Sequence, residues 1–229
     1  GWGDGAAGGR AAAGGAGGGR GRRAGAGGGL RGGPPGELEA AGGRPLAAGG
    51  PGSPFEVERY MGRWYQMYGS ATTQAFVERR GQCVTADYGL NDDGTVSVFN
   101  AMRVGAPDGE ESTISGTART PDPHVPTHLK VHFPSVPKWA PDGTYWIYSY
   151  GWPDPETGLY SFSVVSDSWK TTLFILARDP EKFKQQERAV LSLVEDTLGF
   201  KHFWNRPRRV FQGSECQYIA PPQESGSRA

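Results

Sequence analysis

Two cysteines, three methionines and four histidines are all the soft metal ligands in 229 residues, and acidic and basic side chains balance at 24 each. So few cysteines exclude a cysteine-rich zinc scaffold, and no C-x-x-C pair, phosphate-cradling glycine loop or Ser/His/Asp arrangement is present. His124, His128 and His132 are four residues apart, a metal-site spacing on a helix, but Pro121, Pro123, Pro126 and Pro134 exclude that helix. On a strand, His128 and His132 stand about 13 Å apart, too far to share one zinc. Neither a metal nor a cofactor is expected. Balanced charge argues against a general nucleic-acid binder. No run of about 18 apolar residues occurs, so no transmembrane helix is expected. The sequence opens without a methionine and without the apolar stretch of about 7–15 residues that a secretory signal needs. Its Arg-rich, acid-poor start is loosely like an organelle transit peptide, although serine is scarce there.

What is abundant is glycine, and it is unevenly placed: 23 of the 37 glycines fall in residues 1–52. That stretch has no aromatic residue after Trp2, and six arginines against three acids give it a net positive charge. It cannot bury enough apolar surface to offset its ordering entropy, so residues 1–52 read as a disordered low-complexity tail. Gly-Arg-rich arms can track RNA, but no Phe or Tyr is interleaved for bases to stack on, and no nucleic-acid partner is expected. Residues 53–220 read as one folded domain, and 221–229 as a disordered C-terminus.

Within the domain, short runs of strand-like alternation recur between turn residues. Candidate strands are 62–68, 83–90, 95–103, 112–119, 127–133, 144–150, 158–165 and 171–177. Asn91-Asp92-Asp93-Gly94 is a hairpin signal, and Pro107-Asp108-Gly109, Pro141-Asp142-Gly143 and Pro153-Asp154-Pro155 also turn the chain. Strands joined by tight turns without helices between them predict an antiparallel meander. One helix follows, with Asp179 as N-cap, Pro180 at its first position and Gly199 just past its end. Phe183, Val190, Leu191, Val194 and Leu198 fall mostly on one face of it. The fold class is therefore all-β: an eight-stranded antiparallel up-and-down barrel with one α-helix packed outside. Closure removes the sheet edges.

Tyr60-Met61-Gly62-Arg63-Trp64-Tyr65 resembles the Gly-x-Trp signature that opens the first strand of lipocalins. Cys83-Val84-Thr85-Ala86-Asp87-Tyr88 and the hairpin from Asn91 to Asn100 resemble the apolipoprotein D and bacterial lipocalin branch. Tyr145-Trp146-Ile147 resembles the sixth strand, and Phe174-Ile175-Leu176-Ala177-Arg178 the last strand with its closing arginine. The likeness spans roughly residues 55–220. The middle motif of many lipocalins is only approximated by Val165-Ser166-Asp167. Gly62, Trp64 and Arg178 are expected to be structural: the indole plugs the barrel floor, and the guanidinium covers it from the last strand.

Period-two alternation names an inner face. It groups Ala86 with Tyr88, Val98 with Asn100, Val131 with Phe133, and Tyr145 with Ile147. Phe162 goes with Tyr160 and Val164, and Phe174 with Leu176; Ile114, Gly116 and Ala118 complete the face. The expected ligand-binding residues are thus Tyr88, Val98, Asn100, Val131, Phe133, Tyr145, Ile147, Phe162, Phe174 and Leu176, with no catalytic residue among them. An apolar, aromatic lining with one amide suits a hydrophobic ligand with a polar handle. The small Gly116 and Ala118 favour an open cavity over a filled core.

The resemblance implies a disulfide between Cys83 and Cys216, and with it an oxidising, secreted or lumenal compartment. The alternative is a reactive Cys83 thiol, as lipocalin-type isomerases carry one inside the barrel; Cys83 has the parity opposite to Ala86 and Tyr88. The expected function is binding and transport of a small hydrophobic molecule (fatty acid, sterol, retinoid, carotenoid or tetrapyrrole) by a monomer or weak homodimer. The alternative is a lipocalin-related isomerase or de-epoxidase.

Overall fold

The computed structural model describes residues 47–49, 54–137 and 139–222. Most of the stretch expected to be a tail, and the C-terminal residues from 223 onward, lie outside the described residues. Ala47–Gly49, within that stretch, forms a short strand, β1, paired antiparallel with the strand that ends at Gly151.

Eight antiparallel strands make the barrel: β2 (Gly62–Gly69), β3 (Gly81–Leu90), β4 (Val96–Val104), β5 (Glu110–Arg119), β6 (His128–His132), β7 (Gly143–Gly151), β8 (Phe162–Ser166) and β9 (Phe174–Ala177). Each pairs with the next, and β9 returns to β2 through Tyr65 opposite Ala177 and Gly69 opposite Phe174, so the sheet closes. All eight expected strands are present. The largest difference lies in β8, expected from Gly158. Asp154 and Gly158 instead hold a turn in which the Gly158 amide donates to the Asp154 carbonyl at 2.8 Å. Tyr160 makes only an isolated bridge to Pro153.

Antiparallel order fixes the two ends. The connections after β2, β4, β6 and β8 lie at one end. Those after β3, β5 and β7, together with the entry segment before β2, lie at the other. The Asn91–Thr95 hairpin is of the second group: Gly94 has φ +79°, and the Asn91 amide donates to the Thr95 carbonyl at 2.8 Å.

The helix α1 (Pro180–Ser192) begins where the sequence places it. The Asp179 carboxylate accepts from the amides of Glu181 and Lys182 at 2.7 and 3.1 Å. A wider helical turn, Leu193–Thr197, extends it to Leu198, and Gly199 takes φ +80° beyond. Phe183, Val190 and Val194 bury against the outer faces of β2, β8 and β9, with Phe162, Val164 and Ile175 opposite them. The molecule thus has two apolar cores that share a wall, one inside the barrel and one between barrel and helix. A last short strand, β10 (Arg208–Arg209), lies along the end of β2.

Candidate functional site

The barrel interior holds a cavity of about 470 Å³. Val98 and Asn100 of β4, Val131 of β6, Ile147 of β7 and Leu176 of β9 line its walls, and Phe133 and Phe174 line it toward the end where β6 leaves and β9 begins. Tyr88 and Tyr145 line it toward the opposite end. Nine of the ten residues expected to face the cavity therefore do so.

Phe162 does not. It is fully buried, but in the outer core beneath α1 together with Val164. The inner face of β8 is carried by Ser163 and Val165 instead, and Ser163 Oγ lies 2.9 Å from the Tyr60 hydroxyl. Parity fixes which residues share a face, not which face is inside. Where a helix covers the outer surface of a strand, the larger apolar set can belong to the outside.

Gly116 also has a different role from the one expected. A Cβ there would stand 2.4 Å from the His132 carbonyl oxygen and 2.6 Å from the Phe133 ring. The space that the glycine leaves is filled by Phe133 rather than open to a ligand.

One end of the cavity is a polar-edged aromatic floor. The Tyr145 hydroxyl lies 2.8 Å from that of Tyr60 and 3.1 Å from that of Tyr88. Burial pushes the Tyr60 phenol up to about 12, and Tyr88 and Tyr145 are raised for the same reason, so all three remain neutral donors near neutral pH. Below them Trp64 is completely buried and donates its indole N–H to the Tyr60 carbonyl at 2.9 Å.

Arg178 seals this plug. Its guanidinium carbon lies 3.8 Å from the centroid of the Trp64 ring, and its nitrogens donate to the carbonyls of Arg63, Arg59 and Tyr160 at 2.8, 3.2 and 3.3 Å. Gly62, at φ +88°, is where β2 starts beneath that guanidinium. A side chain there would be strained and would meet Arg178 Nη1 at 3.4 Å.

The opposite end is open between loops, and it holds a carboxyl that the strand pattern did not indicate. Glu78, in the β2–β3 connection, is buried and accepts from Gln66 Nε2 at 2.5 Å. Burial, opposed only by that hydrogen bond, raises Glu78 to about 8. Both residues line the cavity. The available signal was Gln66 itself, a polar residue sharing the inward parity of Trp64, whose amide requires a partner. Thr85 also escaped the alternation, because β3 is irregular between Gln82 and Thr85 and Cys83 takes φ +53°. Two buried oxygens of the lining have no hydrogen-bond partner among the described residues, Asn100 Oδ1 and Thr85 Oγ1.

Cys83 is joined to Cys216 in a disulfide that ties β3 to the segment after β10, with Cα atoms 5.5 Å apart. The expected pairing is present, and the thiol that the isomerase alternative needs is consumed. Among the described residues no group of His, Cys, Asp and Glu is placed to hold a metal ion. His132 instead contacts Asp142 at 3.0 Å on the surface, and His128 stacks on Trp146.

A family model described as a lipocalin-like domain matches residues 55–203. Temperature-induced lipocalin-1 of Arabidopsis thaliana is 34% identical over 148 residues, which cover 63% of this chain and 72% of that protein. Apolipoprotein D of Cavia porcellus is 34% identical over 90 residues, 38% of this chain and less than half of its own length (44%). Outer membrane lipoprotein Blc of Vibrio cholerae is 31% identical over 131 residues, 57% of this chain and 68% of that one. Among solved structures, the cockroach allergen Per a 4 superposes with a TM-score of 0.48 at 13% identity, over 73% of this chain and 94% of that chain. The closed eight-stranded barrel, its arginine-capped tryptophan floor and the match across most of the described domain lead to one conclusion: the chain belongs to the lipocalin-like family.

Proposed function

We propose that this protein binds and carries a small hydrophobic molecule in the barrel, in keeping with a family that binds such ligands. The observation that carries the reading is an apolar cavity of about 470 Å³ with two unpartnered oxygens, Asn100 Oδ1 and Thr85 Oγ1, in its lining. A buried acceptor without a partner is costly, and a ligand that presents one donor to it recovers that cost. Val98, Val131, Ile147, Phe174 and Leu176 supply the apolar contact, Tyr88, Tyr145 and Phe133 bound it, and Asn100 orients the polar handle. Sterols, retinol, hydroxylated carotenoids and tetrapyrroles with their pyrrole N–H groups present such a donor, whereas a fatty acid does so only as the protonated acid.

The disulfide supports a secreted or lumenal site of action. Transport rather than turnover is the better reading, because Cys83 is not available as a nucleophile. Titration of the intrinsic tryptophan fluorescence with a panel of these ligands tests the proposal. At least one is expected to bind with Kd below about 100 μM, and binding by none would remove the carrier reading. Asn100→Val is expected to weaken a ligand bearing a hydroxyl or amine donor about tenfold while leaving a plain hydrocarbon unaffected.

A further inference from the structure

The four most exposed large apolar side chains among the described residues, Trp169 at 86%, Trp139 at 85%, Phe76 at 84% and Phe203 at 72%, all belong to segments at the open end of the barrel. Phe76 lies on the β2–β3 connection, Trp139 on the β6–β7 connection and Trp169 on the β8–β9 connection. Phe203 follows the helix. Three of these segments are stitched together. The Thr72 amide donates to the Trp204 carbonyl at 3.2 Å, Thr73 Oγ1 to the Leu173 carbonyl at 3.1 Å, and Asn205 Nδ2 to the Lys170 carbonyl at 3.0 Å. Phe76, Trp169 and Phe203 are therefore carried on connected segments beside the cavity mouth.

The charge on that surface is mostly basic, although the β8–β9 connection that carries Trp169 holds Asp167 beside Lys170, and Arg209 is paired with Glu187 at 2.7 Å. Residues 70–81 and 199–211 contain Arg79, Arg80, Lys201, Arg206, Arg208 and Arg209, against a single acid, Glu78, which is buried. The chain as a whole has no net charge, so this concentration is local.

We propose that the open end docks on an anionic lipid bilayer, with Phe76, Trp169 and Phe203 entering the headgroup boundary and the surrounding arginines contacting lipid phosphates. Aromatic rings are favoured at that depth of a bilayer, and basic residues beside them are drawn to its negative surface potential. Rings this exposed touch little of their own protein, although Phe76 also lines the mouth of the cavity. They suit a deformable medium rather than a complementary protein pocket. A second copy meeting this one through the same face would set like charges against each other, which disfavours that occupant. The proposal stands on the rim alone and does not require the ligand reading of the cavity.

The test is flotation of the full chain with vesicles of phosphatidylcholine alone and of phosphatidylcholine mixed with phosphatidylglycerol. Binding to the mixed vesicles, lost at high salt, is expected. Arg206→Glu with Arg208→Glu, and separately Phe76→Ser with Phe203→Ser, should each lower the partition coefficient about tenfold or more, with melting temperature and far-ultraviolet circular dichroism retained. Lys184→Glu with Arg188→Glu, a charge reversal of equal size on the exposed side of α1, should change binding far less. Every variant keeps the arginine-rich start of the chain, so differences between them report the rim. No binding to either vesicle would overturn the proposal, as would equal loss in the α1 control. A concentration-dependent dimer, dissolved by the rim variants in a protein that floats with neither vesicle, would replace the bilayer with a second copy.

Discussion

Arg178 is the most densely bonded side chain of the barrel floor, and its three carbonyl acceptors hold it over Trp64. Burial lowers it to about 10, so it stays charged at neutral pH. Trp64→Ala should cost about 3–5 kcal/mol by opening a void, and Arg178→Ala less, in chemical denaturation. The double mutant should cost less than the sum of the singles by about 0.5–2 kcal/mol; strict additivity would mean that the contact contributes nothing. Glu78 makes a prediction of opposite character. Its folded value of about 8 lies above the ordinary 4.5, so the native state holds a proton that the unfolded chain releases. Stability contributed by the neutral carboxyl is then complete below about 4.5 and falls as pH rises toward 8. Glu78→Gln should flatten that part of a stability–pH profile and raise the melting temperature at pH 8; an unchanged profile would mean that Glu78 is ionised in the fold. Trp64 and Arg178 were legible because a closed barrel makes the last strand a neighbour of the first. Glu78 was not, because the inward amide of Gln66 requires a partner without saying that the single carboxyl of the next loop turns in to supply it.

Strands were legible wherever a Pro-Asp or Asn-Gly-type turn bounded an alternating run, and the helix wherever a cap stood at each end. The orientation of β8 was not, since Phe162 and Val164 alternate as an inner face would and α1 buries them from the outside. Phe162→Ala should therefore cost about 3–5 kcal/mol of stability yet leave the affinity of any barrel ligand nearly unchanged, whereas truncation of Leu176 should disturb both. Gly116 gives the complementary case, a small residue demanded by a neighbour's ring rather than by a guest. The disulfide works at this scale too. It closes a separation of 133 residues and ties the segment after β10 to β3. In the chain-entropy account such a closure contributes up to about 5 kcal/mol, so Cys83→Ser with Cys216→Ser should lower the denaturation midpoint clearly while far-ultraviolet circular dichroism keeps its strand signature.

For the molecule as a whole, composition separated a Gly-, Ala- and Arg-rich stretch with few large apolar side chains from a domain with two cores. Removal of residues 1–46 should leave melting temperature and ligand affinity unchanged; the cut belongs before Ala47, because Ala47–Gly49 extends the sheet beside β7. The open-end rim was illegible in the sequence for a different reason. Its aromatics are scattered over loops far apart in the chain and become one surface only when the strand order brings those loops to the same end.

The helix covers only part of the barrel. Strands β2, β8 and β9 are clamped between guest space and α1, whereas outward-facing side chains of β5, such as Glu111, Thr113 and Ser115, are exposed to solvent. The barrel is therefore expected to be stiffer along the clamped side than along the other. Amide hydrogen exchange should be slowest in the clamped strands and faster in β5 and β6. On the carrier reading proposed above, a bulkier guest is expected to be accommodated by outward bowing of the strands that the helix does not touch.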